Sequence, residues 1–172
     1  MPGKAIGISM GYGYPGSFAR NADCIIMQRP VQDSDTEPIK FGDPVILNPN
    51  NTYSKFDATG TADAFVGIAV REVKQDTNYL DPANGSYKPA EPCDVLERGS
   101  ASVICNVGTP TAGGAVYVRI TANAGIPSGV VGGFEAAADG GNTIQIPNAK
   151  WATGLIDSDQ IAEVTILTRN NP

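Results

Sequence analysis

Six residues near the start of the chain, Gly11-Tyr12-Gly13-Tyr14-Pro15-Gly16, fit the G-x-G-x-x-G spacing of a dinucleotide site. That chemistry needs the loop to open a helix, because the N–H groups of the helix N-terminus hold the pyrophosphate. Pro15 disfavours helical geometry in Tyr14. Gly16-Ser17-Phe18-Ala19-Arg20-Asn21 starts no amphipathic helix, and no βαβ unit follows. No cofactor is expected there. The aromatic residues read instead as anchors on an extended arm, or as a local hydrophobic cluster within the same chain.

Other chemistry fares no better. Asp33, Asp35 and Glu37 would face one way along an extended chain. The glycine and distal glutamate of a calcium loop are missing, so a solvated loop is the reading. Asp157 and Asp159 flank Ser158 where such residues simply favour a turn. The chain has no histidine, which removes the commonest metal ligand and the usual base for a serine nucleophile. Lys4, Lys40, Lys55, Lys74, Lys88 and Lys150 all sit near polar or turn segments, so Ser–Lys chemistry has no buried lysine to use. Asn50-Asn51-Thr52 and Asn84-Gly85-Ser86 match a glycosylation acceptor but read as turns. Catalytic residues, cofactors and metal sites are all expected to be absent.

The elements that would position any site are strands. Glycine (20) and proline (13) are too numerous among 172 residues for a helical protein. They sit between Val/Ile-rich runs, which implies short strands joined by turns. Cys24, Cys93 and Cys105 are odd in number with no CxxC spacing, and read as reduced, buried thiols, although a hairpin could bridge Cys93 and Cys105. A net charge of −6 argues against nucleic acid. Met1–Met10 has no long apolar core, so neither a secretion signal nor a membrane partner is expected, and synthesis is expected in a cytoplasm.

The chain divides at Pro38. Residues 1–38 read as an extended N-terminal arm with at most one short strand, Ala5–Met10, and a second apolar run, Cys24–Met27. Residues 39–172 read as the β body, with halves at 39–105 and 106–172. Strands are expected near Val45–Leu47 and Phe65–Val73, with Tyr79–Pro92 as loop. Cys93–Cys105 reads as two strands about a Gly-Ser turn or one long bulged strand. Gly113–Ile120 echoes Phe41–Leu47, Trp151–Ile156 echoes Phe65–Ala69, and Ile161–Leu167 echoes Cys93–Leu96. Either an internal repeat or the common grammar of β-turns produces such echoes. Thr121–Ala149 reads as a surface loop with one hairpin near Gly140–Pro147, and Phe134–Ala138 alone has helical composition. The fold expected is all-β: a small barrel or sandwich of short strands, either as two related β halves or as one undivided body, carrying an extended N-terminal arm.

One series of segments is more specific. GYGYPGSFAR (Gly11–Arg20) is followed by IKFGDPVIL (Ile39–Leu47), FVGIAVREV (Phe65–Val73) and EPCDVLERGSASVIC (Glu91–Cys105). AGGAVYVR (Ala112–Arg119) and WATGLIDSDQIAEVTILT (Trp151–Thr168) complete it. The series resembles the structural cement, or head decoration, proteins of tailed bacteriophages, and departs from them in the long Thr121–Ala149 segment. The resemblance implies a non-enzymatic virion protein on the outer surface of an expanded capsid. It would form a homotrimer that clamps neighbouring copies of the major capsid protein. Tyr12, Tyr14, Pro15, Phe18 and Arg20 are then the expected contacts to the capsid or a neighbouring protomer. A tail or fibre component is the alternative, and a ligand-binding barrel a third reading.

Overall fold

The computed structural model describes residues 15–72 and 85–170, and for residues 18–22 the backbone alone. The strands are β1 (Phe18–Pro30), β2 (Ile39–Lys40), β3 (Pro44–Leu47), β4 (Tyr53–Lys55), β5 (Phe65–Ala69) and β6 (Ser86–Tyr87). They continue with β7 (Pro92–Ile104), β8 (Ala115–Arg119), β9 (Phe134–Glu135), β10 (Thr143–Trp151) and β11 (Ile161–Ile166). Helix among the described residues is limited to one 3₁₀ turn, Gly140–Asn142. The fold is all-β, as composition implied. β2 and β6 pair separately, and the other nine strands form one sheet.

That sheet curls into two rings. In the first, β1, β7, β5, β3 and β4 pair in turn, and a parallel bridge from Val31 to Tyr53 closes the ring. In the second, β7, β11, β10, β8 and β9 pair in the same way, and Cys105 bridges Phe134. The registers superpose. Leu47 faces Tyr53 as Val118 faces Phe134, and Pro44 faces Ile68 as Ala115 faces Lys150. Ala69 faces Val95 as Trp151 faces Val164. The turns agree too: Gly42 (φ 88°) and Gly113 (φ 73°) donate to the carbonyls of Ala69 and Trp151, both at 2.8 Å.

The fold is therefore an internal repeat in which one strand serves twice. The first part of β7 is the last strand of ring one, and its second part is the first strand of ring two. The echoes of Gly113 with Gly42, and of Ile161–Leu167 with Cys93–Leu96, match these registers. The echo of Trp151 with Phe65 does not: Trp151 occupies the position of Ala69, and residues 152–156 form the loop after β10.

Sharing a strand explains the apolar runs. Cys93 and Val95 of β7 pack in one hydrophobic cluster, with Val45, Tyr53 and Tyr87. Leu96, Ala101, Val103 and Cys105 pack in the other, with Val116, Phe134 and Trp151. β5 is buried at every position because it too lies between the clusters, so it shows no polar alternation. Phe65 of β5 meets Phe134 of β9 edge to face at 6.5 Å, joining the rings through apolar contact.

Several expectations need correction. The segment before Ile39 contains a 13-residue strand, far longer than the Cys24–Met27 run. Ser86–Tyr87 is a strand within the expected Tyr79–Pro92 loop. Phe134–Ala138 makes no helical turn, since Phe134–Glu135 pairs with β8. Within Thr121–Ala149, Phe134–Glu135 is also strand, and the strand expected near Gly140–Pro147 is longer, β10 running from Thr143 to Trp151. Of the two readings of Cys93–Cys105, the single long strand holds: β7 covers Cys93 to Ile104 without a break. The Ala5–Met10 strand falls outside the described residues.

Candidate functional site

Pro15 and Gly16, on the turn before β1, are buried against Phe41 and Gly42 of the turn before β3. Gly16 donates its N–H to the Ser102 carbonyl at 2.9 Å, and its own carbonyl accepts from Arg71 N–H at 2.9 Å. Gly16 has φ +79°, and a Cβ there would lie 2.6 Å from Phe41 Cβ, so only glycine fits. The G-x-G-x-x-G match thus runs into strand β1, where a phosphate site would need a helix N-terminus.

This placement divides the expected contact residues. Tyr12 and Tyr14 lie outside the described residues. Phe18 and Arg20 pair through their backbones with Ala101 and Ser100 of β7, and their side chains are outside the description. Pro15 is buried within its own chain, against Gly42.

Pro15 also forms one wall of a cleft of about 200 Å³ between the rings. Phe41, Pro44 and Phe134 line it, and Ile104 and Val130 stand at it 43% and 50% exposed. Isolated apolar side chains on a surface are ordinary; these two add exposed apolar area at the rim of the cleft. Its polar end holds Lys40, Asp43 and Lys55. The Asp43 carboxylate accepts from Lys40 N–H at 3.0 Å and pairs with Lys55 at 3.7 Å. Burial nevertheless outweighs these partners and raises the Asp43 carboxyl to about 6.

A second feature fixes the long β8–β9 loop. Arg119, fully buried at the end of β8, pairs with buried Glu135 at 2.5 Å and with Asp139 at 2.7 Å. Asp139 also accepts from Asn123 at 2.9 Å. Hydrogen bonds from Asn123 and Arg119 hold the Asp139 carboxyl below its ordinary value, and Glu135 holds the guanidinium above its own. The first ring keeps the geometry without the charge: Asn48 stands at the register of Arg119 and donates to Ser54 at 2.7 Å. Sequence reasoning missed this network. Its only trace is an arginine ending the Val116-Tyr117-Val118 run, which alone reads as a solvated strand end.

The remaining candidates resolve simply. Asp35 and Glu37 line an open groove with Asp57, and no group of three or more metal-binding side chains occurs among the described residues. None of the three cysteines forms a disulfide, and Cys93 and Cys105 are buried. Burial pushes the Cys105 thiol up to about 11. No described helix is long and apolar enough to cross a membrane.

The model of the XM1 gp53 minor capsid protein family matches residues 3–166. The chain belongs to that family. Membership places it among the structural proteins of the phage capsid, in keeping with the resemblance to head decoration proteins. A solved structure with a similar fold is a chain from the capsid of Myoviridae phage XM1. It shares 16% identity with a TM-score of 0.69, over 98% of each chain. The likeness in fold thus extends over nearly all of both chains. No curated protein matches.

Proposed function

We propose that the chain is a decoration or cement protein that binds the outer surface of a phage head as a homotrimer and bridges neighbouring major capsid subunits. The observation that carries this reading is the family match over nearly the full chain, from residue 3 to 166. The physics is mass action: a protein that binds across subunit joints only when they are closed opposes their separation. The segment ahead of Pro15 supplies the reach, with Tyr12 and Tyr14 as anchors that bury large area with few rotors. Phe18 and Arg20 extend that contact along β1, and Pro15 acts as its fixed base.

The test mixes the purified protein with expanded and unexpanded heads and images both by electron microscopy. Density at three-fold positions of expanded heads alone is expected. Density at the tail, or none on heads of either kind, overturns the reading. Light scattering of the free protein checks the trimer.

A further inference from the structure

We propose that the loop from Thr121 to Gly133 is a surface that meets the major capsid subunits, and that the patch it meets is apolar and uncharged. The inference rests on the head-binding reading and gives that contact a place on the molecule. The two rings differ most at this loop. Residues 48–52 suffice to join β3 to β4, whereas residues 120–133 join β8 to β9. The longer connection is held from within as a series of three turns. Ile126 N–H donates to the Asn123 carbonyl at 2.9 Å, Gly129 N–H to Ile126 at 3.0 Å and Gly133 N–H to Val130 at 2.8 Å.

Both ends of the series are fixed to the body. The Arg119 guanidinium donates to the Thr121 carbonyl at 3.2 Å, and a Cβ on Gly129 would come within 2.3 Å of its Nε. Gly132 N–H donates to the Arg119 carbonyl at 2.8 Å, and a Cβ there would lie 2.2 Å from the Phe56 carbonyl oxygen of ring one. Buried charges are a costly support for a surface loop, because each must be desolvated. The turn at 48–52 links its strands without them. What the support gives is preorganisation, since a rigid loop loses little entropy when it binds. The exposed face has one chemical character. No Asp, Glu, Lys or Arg occurs from Thr121 to Phe134, in a chain of net charge −6. Ala122, Ala124, Pro127 and Val130 are exposed along it. A charged group of the partner buried there would find no counter-charge, so the loop selects a patch without one.

The test measures co-sedimentation of the full chain with expanded heads that lack the protein, over a concentration series. Ala124→Glu and Ser128→Glu each place a carboxylate at an exposed central position of a turn. Leu155→Glu adds the same charge at a residue 62% exposed outside the loop. Circular dichroism confirms that each variant is folded. Each loop variant is expected to weaken binding at least about tenfold, and Leu155→Glu less than about twofold. Unchanged affinity in both loop variants overturns the inference. Equal weakening by Leu155→Glu also overturns it, because the added charge and not its place would then be the cause. Dissociation of the free oligomer by Ser128→Glu, read by light scattering, overturns it too, as the loop would meet a second copy. No binding by the unaltered chain refutes the head-binding reading itself, and the inference with it.

Discussion

Arg119 and Asn48 occupy one register position in the two rings, and the consequences of losing each differ because of charge. Removing Arg119 leaves Glu135, wholly buried, as an unpaired carboxylate. Breaking a buried pair in this way costs about 3–5 kcal/mol. Arg119→Ala is therefore expected to lower the melting temperature by roughly 6–20 °C. Asn48→Ala removes two neutral hydrogen bonds, to Thr52 and Ser54, and is expected to cost about 1–2 kcal/mol. Thermal unfolding of the two variants side by side checks both, and equal losses would refute the assigned role of the charge. Asp43 makes the second residue-scale prediction. Its folded carboxyl is raised from 3.8 to about 6 by burial, so between those values the folded state holds a proton that the unfolded state has lost. The stabilising contribution is full below pH 3.8 and is lost as pH rises through 6, with a slope of at most about 1.4 kcal/mol per pH unit. Asp43→Asn should flatten that part of the curve measured by urea unfolding at pH 4 to about 7.

At the scale of elements, β7 is the strand on which everything else depends. Gly99 marks the point where its partner changes from β5 to β11, while β1 runs alongside with register shifts opposite. Its φ is +121°, and a Cβ would come within 2.7 Å of the Asp23 carbonyl oxygen. Gly99→Ala combines left-handed strain with a backbone clash, and is expected to cost about 1–3 kcal/mol in urea unfolding. A loss below half a kcal/mol would mean that β1 can move away freely. This residue also shows why the sequence left β7 ambiguous. Gly-Ser reads equally as a turn or a bulge, and only the long-range partner β1 decides between them. The same holds for β1 itself. Arg20-Asn21-Ala22-Asp23 breaks the alternation that marks a strand, and the register shifts of β1 fall around it, between Phe18 and Ile26. Composition made the fold class legible, and short-range glycine turns gave the matching β3 and β8. Contacts far apart in sequence, such as Arg119 with Asp139 or Pro15 with Gly42, leave no local signal.

The whole molecule is held together by the strand its two rings share, which bears on how it can be divided. The sequence suggests halves at 39–105 and 106–172, a boundary that falls just after β7. Cutting there deprives the second ring of its first strand, which supplies Ala101, Val103 and Cys105 to its core and pairs along the length of β11. It also removes the Arg169–Glu97 ion pair and the bonds from Asn170 to the Asp63 and Phe65 carbonyls, which tie the end of the chain back to ring one. A fragment of residues 106–170 is therefore expected to show no cooperative thermal transition. A fragment of residues 92–170 regains the ring's full set of five strands, and is expected to recover strand signal by circular dichroism with a transition below that of the intact chain. Its lower stability follows from the apolar surface that Phe65, Ile68 and Val70 no longer cover. If residues 106–170 melt cooperatively by themselves, β7 belongs to ring one alone, and the repeat with a shared strand is the wrong description. If both fragments are unstructured while the intact chain melts in one step, the rings depend on each other through the Phe65–Phe134 contact as much as through β7. Phe65→Ala in the intact chain then separates the two, since it removes the aromatic contact and leaves the shared strand in place.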